Sequence, residues 1–131
     1  MTNADISLKF FARAQDDLLV ARHVFEDLNP KQLEISCYQS QQAGEKALKA
    51  YLLSRQQEPP FTHNLGLLCR LCADIDEAFD AFADDCTDLT PYATQARYPG
   101  NKEFTEEETE SALQKSERIV SFCANKIALQ D

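Results

Sequence analysis

The chain has 131 residues, a length that suits one domain with a single hydrophobic core. Hydrophobic residues make up 44% and charged residues 27%, a balance that excludes a disordered chain, and no apolar run approaches the roughly 20 residues of a membrane span. The net charge of −9 disfavours non-specific binding of nucleic acid, because that binding depends on neutralising phosphates with Lys and Arg.

The start of the chain bears on the cellular location of the protein, and the distribution of charge bears on where an anion could bind. The first residues, MTNADISLKFF, lack the basic start and apolar core of a secretory signal, so residues 1–131 are predicted to form one cytoplasmic domain. Residues 30–70 hold five basic and three acidic side chains, whereas residues 71–110 hold two basic and twelve acidic. A small anion is therefore expected, if anywhere, on the mildly basic segment.

The first helix is predicted to end near Asp27. Thr2 and Asp5 fit a capping box at its start. Apolar residues then recur at steps of three and four, as on one face of a helix. They are Phe11, Ala14, Leu18, Ala21 and Phe25.

A second helix is predicted from the cap Asn29 and first-turn Pro30 to about Gln56, with Pro59 and Pro60 stopping it. Its residues divide into two faces at about 100° per residue. The small apolar face suits close helix packing and comprises Cys37, Ser40, Ala43, Gly44, Ala47, Leu48 and Tyr51. The polar face is a candidate working surface and comprises Tyr38, Gln39, Gln42, Glu45, Lys46 and Lys49.

The remaining chain is also predicted to be helical. A short third helix covers Asn64 to Ala73, and Asp74 or Asp76 caps a fourth. Residues 88–103 contain two prolines and a glycine, so we expect a short helical turn at most and then an ordered loop.

The last helix should start at a capping box of Thr105 and Glu108 and run to about Leu129. No segment alternates with the period of a strand. The expected fold is therefore all-α, an up-and-down bundle of four long or medium helices with a short-helix insertion.

Five cysteines are scattered among apolar helix positions: Cys37, Cys69, Cys72, Cys86 and Cys123. Cys69 and Cys72 form a CxxC, which can indicate metal or redox chemistry. However, there is no second CxxC and no His at ligand spacing. We therefore expect buried reduced thiols, with no metal site and no cofactor.

The sequence lacks a glycine-rich phosphate loop, a serine elbow, an HExxH and the Glu-x-x-His pairs of a di-iron bundle. What remains is Glu45, Lys46 and Lys49, with His63 after the double proline and Arg97 with Tyr98 in the late loop. Lys and Arg can hold phosphate, His63 can hydrogen-bond, and Tyr98 offers a ring on which a base can stack. The alternatives are a solvated helix face with an i,i+4 Glu45–Lys49 pair, a capping histidine and a packed tyrosine.

Three stretches, CYQSQQAGEKALKAYLL, PPFTHNLGLLCRL and LTPYATQARYPG, closely resemble the HEPN (higher eukaryotes and prokaryotes nucleotide-binding) domain family. The resemblance covers essentially the whole chain. It implies an all-helical bundle, usually a homodimer, often encoded beside a small nucleotidyltransferase. The abundant aromatic residues and the small face of the second helix also suit a twofold dimer, although a well-filled core is the alternative.

Many members of that family are ribonucleases, often toxins, with an Arg, four to six residues, then a His. This sequence has no histidine after Arg97, and Arg55 and His63 have seven residues between them. The resemblance therefore favours the non-catalytic branch, which binds nucleotide or presents substrate to a nucleotidyltransferase. Its matching positions here are Gln42, Glu45, Lys46, Lys49, His63, Arg97, Tyr98 and Pro99. The alternatives are a ribonuclease toxin that acts on RNA through a degenerate motif and a purely structural dimerisation module.

Overall fold

Three long helices make up most of the computed structural model, which describes residues 1–100 and 102–128. In chain order the helices are α1 (Asn3–Asp27), α2 (Leu33–Ser54), α3 (Leu65–Ile75), a 3-10 helix (Glu77–Phe82), α4 (Ala83–Leu89), α5 (Tyr92–Gln95) and α6 (Glu106–Ala128). No strand occurs in the described ranges. The predicted all-α bundle is confirmed, and none of the described helices has the length and apolar character needed to cross a membrane.

The start of α1 follows the sequence signal. The hydroxyl of Thr2 accepts a hydrogen bond from the backbone N–H of Asp5 at 3.2 Å, and the Asp5 carboxylate accepts one from the backbone of Thr2 at 3.0 Å. Both halves of the predicted capping box are therefore present, and α1 ends at Asp27, as predicted.

The predicted start of α2 at Asn29–Pro30 is wrong. The helix begins at Leu33, because Gln32 has backbone angles of φ −117° and ψ 68°, outside the helical region. Residues 28–32 form the link, and the Lys31 ammonium donates to the Phe25 carbonyl at 2.5 Å. That hydrogen bond fixes the link to the last turns of α1.

The end of α2 lies at Ser54, before the prolines that were expected to stop it. The N–H of Gln57 donates to the Leu52 carbonyl at 2.9 Å, and that of Gln56 donates to the Leu53 carbonyl at 3.1 Å. Gln56 has φ 63°, so the helix closes in a Schellman motif with glutamine at the left-handed position.

The small face of α2 is a buried packing face, as predicted, and α1 packs beside it. Ala43, Ala47 and Ala50 of α2 and Ala14 and Ala21 of α1 are all fully buried. Small side chains let the two backbones approach, and serines join them. The hydroxyl of Ser7 donates to the Ala50 carbonyl at 2.7 Å, and that of Ser36 donates to the Ala21 carbonyl at 2.9 Å. These pairings make α1 and α2 antiparallel.

Helix α6 closes the bundle over α2. Ser116 donates to the Ser40 carbonyl at 2.7 Å. Gly44 faces the junction of three helices, where an added Cβ would lie 3.0 Å from Leu65, 3.7 Å from Leu89 and 3.9 Å from Ile119. Leu65, Leu89 and Ile119 are 0–1% exposed, so the core of the bundle lies on this side of α2.

The insertion between α2 and α6 starts at Asn64, whose side chain caps α3 by accepting from the Leu67 N–H at 3.1 Å. Asp76 caps the next segment, as one of the two predictions had it, but this segment is a 3-10 helix followed by α4 rather than one fourth helix. Its Phe79 is 1% exposed and packs on Tyr51 with ring centroids 4.5 Å apart. At the start of α6, Thr105 accepts from the Glu108 N–H at 3.0 Å, and the predicted end at Leu129 lies outside the described residues.

Candidate functional site

The polar face of α2 is where the structure departs from a simple solvated helix surface. Gln42, Lys46 and Lys49 are partly exposed, as a working surface requires, but Glu45 is only 4% exposed. The turn from Pro59 to Asn64 covers it. The face therefore combines accessible polar groups with one buried carboxylate.

Both oxygens of that carboxylate are occupied. Nδ1 of His63 lies 2.8 Å from Oε1 of Glu45, and the Lys49 ammonium donates to Oε2 at 3.1 Å. The Gln41 amide donates to the same Oε1 at 3.1 Å and to the His63 carbonyl at 3.1 Å, and Gln42 donates to Gln41 at 2.7 Å. The result is one connected network from Gln42 to the His63 turn.

Hydrogen-bond logic fixes the tautomer of His63. An ionised carboxylate only accepts hydrogen bonds, so Nδ1 carries the proton that points to Glu45. The His63 side chain is 63% exposed, and Nε2 has no partner among the described residues. Nε2 is therefore available to a ligand, as an acceptor in neutral histidine and as a donor in the protonated form.

The Glu45–Lys49 pair is not an ordinary surface pair. Its side chains are 6% and 12% exposed, whereas solvated i,i+4 pairs contribute only a few tenths of a kcal/mol. Removing a carboxylate from water costs several kcal/mol unless other groups replace its hydration. Here Lys49, His63 and Gln41 replace it, so Glu45 holds two nitrogen groups in fixed positions.

Lys46 points to the other side of the face, toward α1. Its ammonium lies 2.5 Å from the Asp17 carboxylate. Beside it is a cavity of about 320 Å³ lined by Lys46 and by Lys9, Phe10 and Arg13 of α1. Lys46 thus belongs both to the polar face and to a small basic recess.

Arg97 and Tyr98 lie elsewhere, in a cleft of about 370 Å³. The Arg97 guanidinium sits 5.7 Å from the centroid of the Tyr98 ring, and the same cleft is lined by Glu34 near the start of α2. Glu34 and Lys46 are separated by about 18 Å of helix. The structure therefore brings Gln42, Glu45, Lys49 and His63 together and places Lys46 beside them, but it does not bring Arg97 and Tyr98 to them within one protomer.

Several members of these groups did not emerge from the sequence. Gln41 is fully buried, and only its i,i+4 spacing from Glu45 signals its role. Lys9 and Arg13 share that spacing on α1, yet their approach to Lys46 depends on how α1 packs on α2. Asp17 depends on the same packing.

The five cysteines are free and buried, as predicted. Burial raises the pKa of the Cys37 thiol to about 11 and also raises the pKa values of Cys72 and Cys123. Such thiols are poor nucleophiles near neutral pH. No cluster of three or more potential metal ligands occurs in residues 1–100 and 102–128.

Comparison with known proteins identifies the family. Residues 8–127 match the family model described as HEPN domain. The chain is 24% identical to TT1696 from Thermus thermophilus, with a TM-score of 0.77 over 96% of this chain and 99% of that chain. It is 23% identical to ST0689, an archaeal HEPN homologue, with a TM-score of 0.74 over 92% and 97% of the two chains. None of the curated proteins compared with the chain matches it.

Proposed function

Because this chain belongs to the HEPN family, we propose that it is a non-catalytic nucleotide-binding protein. In this proposal it works in the cytoplasm as an accessory that presents substrate to a minimal nucleotidyltransferase, in a pair of the toxin–antitoxin type. The nucleotide site is the polar face of α2, with Gln42, Lys46 and Lys49 on the helix and His63 at its edge. Glu45 acts as a positioning group for Lys49 and His63.

The observation that carries this proposal is the carboxylate of Glu45 at the base of a ligand-accessible surface. It holds the Lys49 ammonium at 3.1 Å and His63 Nδ1 at 2.8 Å. Groups that are already ordered lose less conformational entropy when a ligand binds. Ammonium groups suit phosphate oxygens, and the outward Nε2 of His63 suits a polar atom of a sugar or base.

Calorimetric titration with ATP tests the site. We expect binding by the wild-type protein and a loss of about tenfold or more, or about 1.4 kcal/mol, in a Lys46→Met, Lys49→Met variant. Methionine keeps much of the packing of the lysine stem while removing its charge. Arg97→Met is the matched control and should bind normally, because Arg97 lies in the separate cleft.

No heat at millimolar ATP, or equal affinity in the lysine variant, would contradict the proposed site. Thermal unfolding of each variant separates lost binding from lost folding. An equal loss of ATP affinity in Arg97→Met would instead show that Arg97 belongs to the site, contributed by a second protomer.

The accessory role is tested by the neighbouring reading frame. A minimal nucleotidyltransferase beside this gene should copurify with the chain. A substitution in the proposed nucleotide site should reduce transfer by that enzyme without disrupting the complex. The absence of such a neighbour would count against the pairing and leave nucleotide binding as a separate question.

A homodimer is part of the same proposal, and exposed apolar residues on α1 support it. Leu8 and Leu19 are 62% and 72% exposed, and Leu19 lines a groove between α1 and α6 with Phe11, Leu18 and Val120. Light scattering should therefore give a dimer mass for the wild type and a monomer mass for Leu19→Glu. A monomeric wild type would contradict this part of the proposal.

Ribonuclease activity is the second candidate, favoured by one feature. A buried carboxylate that orients an exposed histidine also suits a general base. Arg97, the arginine that would assist it, lies in another cleft. Cleavage of labelled RNA that disappears in His63→Ala would establish this alternative, whereas an inert wild type supports the non-catalytic function.

A further inference from the structure

The recess on the α1 side of Lys46 has a composition unlike the rest of this acidic chain. Its four lining residues are three cations and one aromatic ring: Lys9, Phe10, Arg13 and Lys46. The chain carries 22 carboxylates against 13 lysines and arginines, yet no described carboxylate lines this cavity. A local cluster of this kind attracts anions even though the whole protein repels them.

Two of the cations on α1 have no described carboxylate within salt-bridge distance. Lys9 and Arg13 form no salt bridge with a described carboxylate, whereas eight other Lys and Arg side chains do. Lys9 and Arg13 are four residues apart on α1, so they project from the same side of the helix. Within the described part of the chain, the structure therefore places two cations without a salt bridge beside a third.

The third cation, Lys46, has an internal partner. Its ammonium contacts the Asp17 carboxylate at 2.5 Å, and the two side chains are 26% and 17% exposed. An anion that enters the recess must compete with this carboxylate for the lysine. Asp17 thus acts as a built-in counter-ion that lowers the affinity of the recess.

The size of the recess limits its occupant. A volume of about 320 Å³ is at the small end of ligand pockets, which span roughly 300–1,000 Å³. Such a volume suits a chain of phosphates better than a whole nucleotide. Phe10 also lines the recess, and an apolar lining that excludes water strengthens attraction between charges.

We propose that Lys9, Arg13 and Lys46 form an oligophosphate subsite, which holds the phosphate end of the ligand while Asp17 competes for Lys46. This inference rests on the proposed nucleotide function and extends that site from α2 onto α1. The remainder of the nucleotide then lies along α2 toward Gln42 and His63. Arg97 and Tyr98 have no part in it.

Titration with inorganic triphosphate and with ATP tests the subsite directly. A Lys9→Gln, Arg13→Gln variant should bind both ligands at least about tenfold more weakly, because two of three phosphate contacts are lost. Asp17→Asn should bind both several-fold more tightly, because Lys46 is released. His63→Ala should weaken ATP binding and leave triphosphate binding unchanged.

Arg70→Gln is the matched control, since Arg70 is exposed on α3 and forms no salt bridge with a described carboxylate. It should change neither affinity. Equal weakening of ligand binding in Arg70→Gln and in the α1 variant would show that affinity depends only on the net charge of the protein. That result would overturn the subsite. Unfolding temperatures near the wild-type value should accompany Arg70→Gln and the Lys9→Gln, Arg13→Gln variant. Asp17→Asn and His63→Ala lose contacts to Lys46 and Glu45, so their binding is compared well below their own unfolding temperatures.

The two proposals fail in different ways. If wild type binds ATP and the α1 variant binds it equally well, the subsite is wrong and the nucleotide function stands. Suppose that triphosphate binding depends on Lys9 and Arg13, but that wild type and His63→Ala bind ATP equally well. The subsite then stands, and the proposed contact between His63 and the remainder of the nucleotide is wrong. If wild type binds neither ligand, both proposals are wrong.

Discussion

The two faces of α2 show how one helix serves packing and binding under different physical rules. On the small face, the close approach of the neighbouring helices limits the size of the side chains, and Gly44 and Ala47 fit that limit. On the polar face, Glu45 is also buried, but hydrogen bonds rather than contacts satisfy it. Substitutions on the first face should therefore alter stability, whereas those on the second should alter stability less and binding more.

The largest expected effect comes from filling the small face. Gly44→Val places methyl groups where even a Cβ lies 3.0 Å from the side chain of Leu65, which is itself fully buried. Overpacking of this kind costs about 1–3 kcal/mol. Urea denaturation should show a loss near the upper end of that range, and an unchanged midpoint would contradict the close packing of this face.

Alkaline pH should also destabilise the protein through the small face. Burial raises the pKa of Cys37 to about 11 from 9.0. Between about pH 9 and pH 11 the unfolded thiol loses its proton while the folded thiol keeps it. At about 1.36 kcal/mol per pKa unit, stability therefore falls by about 2.7 kcal/mol as the pH rises. Below that range the thiol is protonated in both states and has no effect.

The Cys37→Ala variant isolates this contribution from those of the other buried cysteines. Its free energy of unfolding should fall less steeply with pH than that of the wild type. The difference in slope should correspond to at most one proton released on unfolding. Parallel pH curves for the two proteins would show that Cys37 is not protected by burial.

A smaller effect is expected from the carboxylate on the polar face. Glu45→Gln keeps the shape of the side chain but removes the charge that Lys49 and His63 contact, and hydrogen bonds to charged groups contribute about 1.5–3 kcal/mol. Because Lys49 and His63 can turn toward water, we expect a loss near 1–2 kcal/mol. Glu34→Gln, on the same helix and partly exposed, is the control and should cost under about 0.5 kcal/mol.

The smallest effect is expected where both faces end. Gln56 has φ 63°, a conformation that glycine adopts without the side-chain penalty. Gln56→Gly should therefore stabilise the protein by about 0.5–1 kcal/mol. The gain is reduced by the loss of the exposed hydrogen bond that Asn3 donates to the Gln56 side chain at 3.2 Å. Making the substitution in an Asn3→Ala background removes that offset, and a loss of stability there would contradict the helix-end geometry.

Local signals predicted most of the fold. The capping boxes of Thr2 with Asp5 and of Thr105 with Glu108 depend on residues three positions apart, and the small face of α2 follows from the helical period. The start of α2 was mispredicted because Asn29–Pro30 is a common helix start, whereas the link here is fixed by Lys31 contacting Phe25. The end of α2 was assigned to Pro59 and Pro60, whereas the helix ends earlier, with Gln56 in the left-handed conformation. A glutamine in that conformation has no sequence signature.

The site was predictable only in part, because helical spacing gives the direction of a side chain but not what covers it. Glu45 is buried by a turn eighteen residues away, at His63. Lys46 is turned to Asp17 by the packing of α1 on α2. Arg97 was grouped with the lysines on charge and on the family resemblance. The structure places it in a cleft beside Glu34, and Glu34 is separated from Lys46 by about 18 Å of helix.

Amide shift mapping of isotope-labelled protein during ATP titration is the most direct test of where a ligand binds. The account predicts shifts that saturate together at residues 42–49, at His63 and at residues 9–13 of α1. Residues 95–100 should stay unchanged. Saturable shifts confined to the Arg97 cleft, or none at millimolar ATP, would contradict the assignment of the site to the polar face of α2.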